Sequence, residues 1–281
     1  MPFFAVMQGR LVPPEDGRFQ SFPRKRWRDE FALAAQAGLN AIEWIFDLYG
    51  EDVNPLISDT GIAEILSRSQ QNGIDVRSLC ADYFIERPFL RTTEEERKQL
   101  IQKMEWLLSR CNLLGIGRIV IPFVDNSRIE NPEEEAQVIS ILRTILPAAE
   151  TNGVELHLES SLGPQALAGL LERCPHPFVR ANYDSGNSAS LGYTVSEELA
   201  AYGHRIGSVH VKDRKLGGGT VPLGTGDADL PALFRGLAAL GYNGDYVLQI
   251  ARSDPGEEQA WIARNLSSIA AQIETAKRLQ S

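Results

Sequence analysis

Three side chains that can bind a metal ion follow one another at the ends of three apolar segments typical of buried strands. Glu159 lies in "LHLES", Asp184 in "RANYD" and His210 in "SVHVKD". Neighbouring strands of a sheet lie about 4.8 Å apart, so these side chains can converge on one ion. Carboxylate and imidazole ligands suit Mn²⁺, Zn²⁺, Co²⁺, Fe²⁺ or Mg²⁺. We therefore predict one divalent metal ion as cofactor.

A single Glu, Asp or His at a strand end more often anchors a loop than it binds a metal. Two carboxylates buried side by side are costly unless a positive charge compensates them, and the matching positions of these strands carry no Lys or Arg. A divalent ion would supply that charge, which favours the metal site. A fourth polar group, Gln249 in "VLQI", stands at the corresponding position of a later strand segment.

Further polar residues share the inward faces of the strands, because side chains on a strand alternate between its two faces. Lys212 lies on the same face as His210, and the other candidates lie on the first two strand segments. A carbohydrate needs many hydrogen-bond partners, so we predict a substrate-binding role for this group. The alternatives are a salt bridge between Lys212 and a nearby carboxylate, and plain solvation of a rim. The predicted substrate-binding residues are Gln8, Arg10, Glu43 and Lys212.

Short apolar segments alternate with longer amphipathic segments along the whole chain, and no low-complexity linker divides them. Eight strand patterns and eight helix patterns favour a single (β/α)8 barrel, the TIM barrel, as one domain over residues 1–281. A doubly wound open sheet fits less well, because no glycine-rich phosphate loop follows the first strand. The strand segments are "FFAVMQG", "NAIEWIF", "IDVRSLC", "GRIVIPFV", "GVELHLES", "FVRANYD", "IGSVHVKD" and "GDYVLQI". In such a barrel the active site lies where the strands end.

The overall composition narrows the classes of partner. The 281 residues are 43% hydrophobic and 23% charged, as in ordinary globular proteins, and the formal net charge is -9. Nucleic acids and anionic membranes bind clustered Lys and Arg, so we expect neither as a partner. No segment reaches the roughly 20 apolar residues of a membrane helix. Three cysteines are too few and odd in number for a disulfide framework, which favours a reducing, cytoplasmic location.

The order of these motifs resembles a known superfamily. Glu159 in "LHLES", Asp184 in "NYDSGN" and His210 in "HVKD", followed by "VPLGTGDADL" and "GYNGDYVLQI", are similar to the sugar phosphate isomerase/epimerase superfamily of xylose isomerase-like TIM barrels. The pattern is nearest to the L-hexulose and L-xylulose 5-phosphate 3-epimerases. The likeness extends over essentially the whole chain and is most specific in the last 130 or so residues, where "HVKD" is followed by "VPLGTGD".

The resemblance implies a single divalent ion held by a Glu, an Asp, a His and a second Glu. In that family the ion polarises a ketose carbonyl, and the two glutamates exchange a proton of the substrate through an enediolate. Glu159, Asp184 and His210 match the motif, whereas Gln249 replaces the second glutamate. The amide oxygen of Gln249 can still serve as a metal ligand, but an amide cannot accept or return a proton at neutral pH.

We therefore predict a sugar or sugar-phosphate isomerase or epimerase in which Glu159 is the catalytic base beside a carbonyl polarised by the ion. One alternative is a barrel that binds a metal and a sugar without turning the sugar over, and another is a related metal-dependent dehydratase or lyase. A nuclease of the endonuclease IV type is disfavoured, because the chain has only four histidines and is acidic. Family members often assemble as dimers or tetramers, so a homo-oligomer is expected by analogy.

Overall fold

Eight parallel strands close into a barrel in the computed structural model, which describes residues 2–280. Each strand pairs with its neighbours in chain order, and β8 pairs with β1. All eight predicted strand segments are confirmed, and so is the TIM-barrel fold. The strands are β1 Phe3–Met7, β2 Ala41–Ile45, β3 Asp75–Cys80, β4 Arg118–Phe123, β5 Glu155–Ser160, β6 Val179–Asp184, β7 Ile206–Val211 and β8 Asp245–Leu248.

Ten α-helices lie in the described part of the chain, two more than the sequence pattern predicts. The two extra helices, α3 and α7, are short and directly follow the ends of β3 and β6, where the sequence has no amphipathic period. The α-helices are α1 Asp29–Ala37, α2 Asp59–Asn72, α3 Tyr83–Glu86, α4 Glu94–Leu114, α5 Pro132–Asn152, α6 Pro164–Glu172, α7 Ser185–Leu191, α8 Val195–Tyr202, α9 Leu230–Ala239 and α10 Glu258–Arg278. None of the helices in residues 2–280 has the length and apolar character needed to cross a membrane.

Local chemistry sets several of the helix ends as the sequence predicts. Thr93 caps α4 in a reciprocal arrangement with Glu96, so two otherwise free backbone donors are bonded. Gly38 ends α1 with φ 82° and Gly73 ends α2 with φ 63°. Both values lie in the left-handed region that glycine enters without strain.

Strand register brings the predicted metal ligands to the same end of the barrel. Asp184 on β6 pairs directly with His210 on β7, and Glu159 on β5 pairs with Pro122 on β4. Each of the three lies in the last two residues of its strand. The carboxyl ends of parallel strands meet at one edge, so the barrel topology itself gathers these side chains.

The segment between β1 and α1 is held over this end of the barrel by a buried carboxylate. Glu30 on α1 is fully buried, and its Oε1 accepts the backbone N–H groups of Gly9 at 2.7 Å and Leu11 at 3.4 Å. Gly9 has φ 82°, and a Cβ there would lie 2.9 Å from the Ser21 carbonyl oxygen. The turn at Gly9 therefore requires glycine, and it directs the chain back across the barrel mouth.

Burial raises the pKa of Glu30 from its ordinary 4.5 to about 8, although the Gly9 and Leu11 N–H groups oppose the shift. Between these two pH values the folded chain binds more protons than the unfolded chain. The free energy of unfolding therefore falls as pH rises from about 4.5 to 8, with no further loss from this group above that range.

Replacing this carboxyl by a neutral amide removes that dependence. We expect Glu30→Gln to match the parent near pH 5 and to be more stable near pH 9 by on the order of a few kcal/mol. Urea denaturation at both pH values measures the difference. Asp29→Asn on the exposed side of the same helix is the control, and equal pH dependence in parent and Glu30→Gln would contradict the prediction.

Candidate metal centre

The structure brings the three predicted metal ligands together. Glu159, Asp184 and His210 are all buried, and one possible ligand atom from each lies within 4.8 Å of the other two. His210 Nδ1 lies 3.3 Å from Glu159 Oε2. These are the distances expected of side chains that converge on one point.

The imidazole of His210 is held from behind by a second carboxylate. His210 Nε2 lies 2.7 Å from Glu43 Oε1, and both side chains are completely shielded from solvent. His210 Nδ1 makes no hydrogen bond of acceptable geometry within residues 2–280 and faces the cluster. Metal-binding histidines commonly have their second ring nitrogen bonded to a carboxylate in this way, which fixes the ring orientation.

Glu43 therefore occupies a different position from the one predicted for a sugar contact. It does face the barrel interior, but it lies beneath His210 and is closed off from the mouth. Strand alternation identifies the face of a strand, whereas the depth along the barrel axis depends on register. Glu43 orients the His210 ring and is not among the residues that line the open cavity.

Gln8 and Arg10 form hydrogen bonds with the backbone of other segments of the chain. The strand β1 ends at Met7, and the turn at Gly9 breaks the alternation from which an inward Arg10 was predicted. The Arg10 guanidinium bonds the carbonyl oxygens of Ile250 at 3.0 Å and Phe19 at 2.8 Å. Gln8 Oε1 accepts the backbone N–H of Ile45. Both side chains are buried and fasten the loops around the mouth.

Electrostatics show how strongly the cluster attracts positive charge. Burial alone lowers the pKa of His210, but the carboxylates of Glu43 and Glu159 outweigh it and raise the pKa to about 10. A proton on His210 and a cation beside it would each compensate the negative charge of the Glu43 and Glu159 carboxylates. A metal ion needs the neutral imidazole, so its binding would release that proton.

Lys212 supplies part of the positive charge near these carboxylates, in agreement with the predicted alternative of a salt bridge to a nearby carboxylate. Lys212 Nζ lies 3.3 Å from Asp184 Oδ2. The other oxygen of Asp184 accepts the backbone N–H groups of Gly186 at 2.9 Å and Asn187 at 2.8 Å, so this side chain also caps α7. Lys212 lines the open cavity above the cluster, as predicted for a residue near the barrel mouth.

A row of hydrogen bonds supports Glu159 from inside the barrel. Glu159 Oε2 accepts from Asn182 Nδ2 at 3.3 Å, and Asn182 Oδ1 accepts from Ser208 Oγ at 2.7 Å. Ser208 in turn lies 2.7 Å from His157 Nδ1, whose other nitrogen is 2.8 Å from Glu155. His157 is thus a hydrogen-bonded core histidine. The row fixes one oxygen of Glu159 toward His210.

The orientation of the Gln249 amide is determined by its neighbours. Gln20 Nε2 donates to the Asp82 carboxylate at 2.8 Å, so Gln20 Oε1 faces the other way. That oxygen accepts from Arg10 Nη2 at 3.0 Å and from Gln249 Nε2 at 2.9 Å. Gln249 Oε1 is consequently turned away from Gln20, and this buried atom has no hydrogen-bond partner in the described chain. It is available as a ligand.

The donor set fits a divalent ion. His210 Nδ1 and Gln249 Oε1 are buried polar atoms that lack partners among residues 2–280, and such atoms are costly unless something binds them. The two carboxylates of Glu159 and Asp184 balance a charge of +2, while imidazole and amide add none. A mixture of nitrogen and oxygen ligands suits the transition metals and zinc better than Ca²⁺.

A cavity of about 670 Å³ opens above the cluster at the barrel mouth. Its floor includes Glu159 and Gln249, and three cationic side chains, of Arg18, Lys212 and Arg214, stand in its wall. Arg214 Nη1 donates to Asn187 Oδ1 at 2.9 Å, and Asn187 Nδ2 donates to Glu159 Oε1 at 2.6 Å. The size is within the range of small-molecule sites.

Comparison with known proteins shows the family to which this barrel belongs. A family model described as Xylose isomerase-like TIM barrel matches residues 31–272. The chain belongs to this family. Among curated relatives of this Xylose isomerase-like TIM barrel, the L-ribulose-5-phosphate 3-epimerase UlaE of Shigella flexneri serotype 5b (strain 8401) is 25% identical over 243 residues, which are 83% of this chain and 86% of the relative. The resemblance inferred from the motifs is confirmed.

Solved structures share the fold at lower identity. D-psicose 3-epimerase from Clostridium cellulolyticum H10, solved with D-tagatose, has a TM-score of 0.74 at 16% identity, covering 99% of both chains. The IOLI protein, solved with a zinc atom, has a TM-score of 0.77 at 18% identity, covering 98% of this chain and 99% of that one. Both likenesses support the same barrel architecture for this family member.

Several site residues were not anticipated from the sequence. Asn187 follows Asp184 by three positions in "DSGN", so its place one turn into α7 was readable once that helix was known. Gln20 and Asp82 belong to loop segments, and no pattern indicated that they join Gln249. Side chains on loops reach a site through the path of the backbone, which periodicity does not encode.

The support of His210 by Glu43 gives a direct test of the centre. We expect Glu43→Gln to lower the affinity for Zn²⁺ or Mn²⁺ by about 10-fold to 100-fold, because the ring loses its charged partner. Isothermal titration calorimetry measures the affinity. Glu150→Gln is the control, since Glu150 also contacts a histidine, His176 at 3.1 Å, but on the protein surface. Equal affinities in the parent and Glu43→Gln would refute this role.

A carboxylate at position 249 would conflict with Gln20. We expect Gln249→Glu to destabilise the metal-free protein by about 1–3 kcal/mol, because an oxygen would then replace the Nε2 that donates to Gln20 Oε1. Thermal and urea unfolding in chelator measure the loss. Gln99→Glu on the exposed surface of α4 makes the same chemical change without a buried partner. A loss no greater than that of the control would show that the amide pair is unimportant.

Proposed function

We propose that the chain is a divalent-metal-dependent isomerase or epimerase of ketoses or ketose phosphates, with Glu159 as the base. The observation that carries the proposal is the buried cluster of Glu159, Asp184 and His210, of which Glu159 lines an open polar cavity. The named activity of the UlaE relative and the zinc atom in the IOLI structure support it.

The residues of the site have two proposed roles, which are binding an ion and transferring a proton. Glu159, Asp184, His210 and Gln249 would hold the ion, which when bound would act as a Lewis acid on a substrate carbonyl and acidify the neighbouring C–H. Glu159 Oε2 faces His210, which leaves Oε1 as the oxygen nearer Asn187 for taking the proton. The Asn187 amide would keep that oxygen in place.

Charge in the cavity favours an anionic substrate. Arg18, Lys212 and Arg214 stand around its wall, and guanidinium and ammonium groups are the usual partners of phosphate. Lys212 and Arg214 both reach Asn187 Oδ1, at 3.3 Å and 2.9 Å, so they lie on the Glu159 side. We therefore favour a ketose phosphate over a free ketose.

A second candidate follows from the neutral amide at position 249. Elimination of water beside a carbonyl needs a single base to remove the proton, so a dehydratase or lyase reaction is compatible with Gln249 and Glu159. The products distinguish the two reactions, because elimination lowers the mass of the sugar by one water whereas isomerisation conserves it. A barrel that binds the sugar without reaction would give neither.

The cysteines agree with the proposed cytoplasmic location. Cys80, Cys111 and Cys174 are all free thiols and all buried. Burial raises the pKa of each thiol, which keeps it protonated and inert.

Removal of the proposed base tests the function. The parent is assayed with Mn²⁺ against a panel of ketoses and their 5- and 6-phosphates, and we expect it to exchange substrate protons with D₂O. We expect Glu159→Gln to lower the rate of this exchange by 10²-fold to 10⁴-fold or more. Mass spectrometry and NMR measure exchange and products. Glu86→Gln, an exposed carboxylate on the same cavity wall, is the control. Exchange by the parent with no sugar of the panel, or full exchange by Glu159→Gln, would overturn the proposal.

A further inference from the structure

Reaction at a sugar carbon from both faces needs two proton-transferring groups, and the amide of Gln249 cannot be one of them. The cavity wall offers four carboxylates besides Glu159. They differ in the hydrogen bonds that their carboxylate oxygens accept. The four are Asp47, Asp82, Glu86 and Asp125.

Three of the four are poorly suited. Asp47 is buried, and its two oxygens accept the backbone N–H groups of Phe22 at 2.8 Å and Gly50 at 2.7 Å, so it holds a loop. Glu86 and Asp125 are exposed, and neither side chain forms a hydrogen bond in the described structure. An exposed carboxylate with no fixed orientation is a weak proton carrier for a bound sugar.

Asp82 combines access to the cavity with a fixed orientation. It follows the end of β3 by two residues and is only partly exposed. Its Oδ2 accepts from Gln20 Nε2 at 2.8 Å and its Oδ1 from the Cys80 thiol at 3.2 Å. Each oxygen has one protein partner and keeps a further lone pair. Gln20 also links this carboxyl to the Gln249 amide.

The surroundings of Asp82 shift its pKa toward neutral pH. Burial raises the pKa of Asp82 to about 6, the hydrogen bonds from Gln20 and Cys80 oppose the shift, and the charges of Glu159 and Asp47 add to it. A carboxyl of this kind can both give and take a proton near neutrality.

We propose that Asp82 is the second proton-transferring group of this site, acting from the β3 side of the cavity in place of the carboxylate absent at position 249. This inference rests on the proposed function. Glu159 takes the proton from the carbon beside the carbonyl, and the electron pair of that C–H bond delocalises as an enediolate. Protonated Asp82 then gives its proton to the face of the carbon that Glu159 does not cover. Nothing is oxidised or reduced, and both carboxyls return to their starting states by exchange with water.

Asp82→Asn separates this role from a structural one. The amide can keep both contacts, accepting from Gln20 through its oxygen and facing Cys80 with its nitrogen, but it cannot transfer a proton. The experiment uses full-length protein with Mn²⁺, D₂O and the panel sugar that the parent exchanges fastest. We expect Asp82→Asn to keep label exchange into recovered substrate within a few-fold of the parent, while formation of the altered sugar falls by about 10²-fold or more.

The controls make each outcome decisive. Asp75→Asn makes the same change at the exposed first residue of β3 and should leave both rates unchanged, while calorimetry should show unaltered Mn²⁺ affinity in Asp82→Asn. Glu159→Gln should lose exchange and product together. Product formation unchanged in Asp82→Asn, or exchange and product falling in the same proportion, would overturn the role of Asp82 but leave the proposed function standing. Exchange by the parent with no panel sugar would overturn both.

Discussion

Negative charge buried where β5, β6 and β7 end constrains the surrounding structure. The carboxylates of Glu43 and Glu159 flank one imidazole and raise its pKa, even though burial opposes protonation. Asp184 next to them is met by the first backbone N–H groups of α7 and by Lys212. Every one of these arrangements brings positive charge or donors to the same place. A divalent ion would complete a compensation that the protein chain has only partly made.

Several residues around the site each form a hydrogen bond with one particular atom of a candidate ligand. Asn182 and Asn187 each bond one oxygen of Glu159, Glu43 holds one nitrogen of His210, and Gln20 holds the nitrogen of Gln249. Hydrogen bonds of this kind restrict the rotation of these side chains. Such preorganisation is the general route by which a protein contributes to proton transfer, because little rearrangement accompanies the reaction.

The strands and the candidate metal ligands could be predicted from the sequence for one reason: both depend on local sequence pattern. Runs of Val, Ile and Leu mark the strands, and Glu159, Asp184 and His210 each lie within two residues of a strand's end. The roles of Glu43 and Arg10 could not be read this way. One depends on depth within the barrel and the other on the turn at Gly9, and both are properties of three-dimensional register rather than of periodicity. The domain extent over 1–281, the substrate roles and assembly with other copies stay predictions.

The pairing of Gln20 with Gln249 carries a consequence for the history of this barrel. Gln20 Oε1 accepts hydrogen bonds from both Arg10 and Gln249. Within the pair of glutamines, Gln249 is therefore the donor and Gln20 the acceptor. A descendant or ancestor with an acid at position 249 would face the Gln20 oxygen, unless the Gln20 amide turned over and gave up its bond to Asp82 or another donor replaced it. The two positions should therefore have changed together, and an alignment of close homologues would show them as a co-varying pair although about 230 residues of chain lie between them.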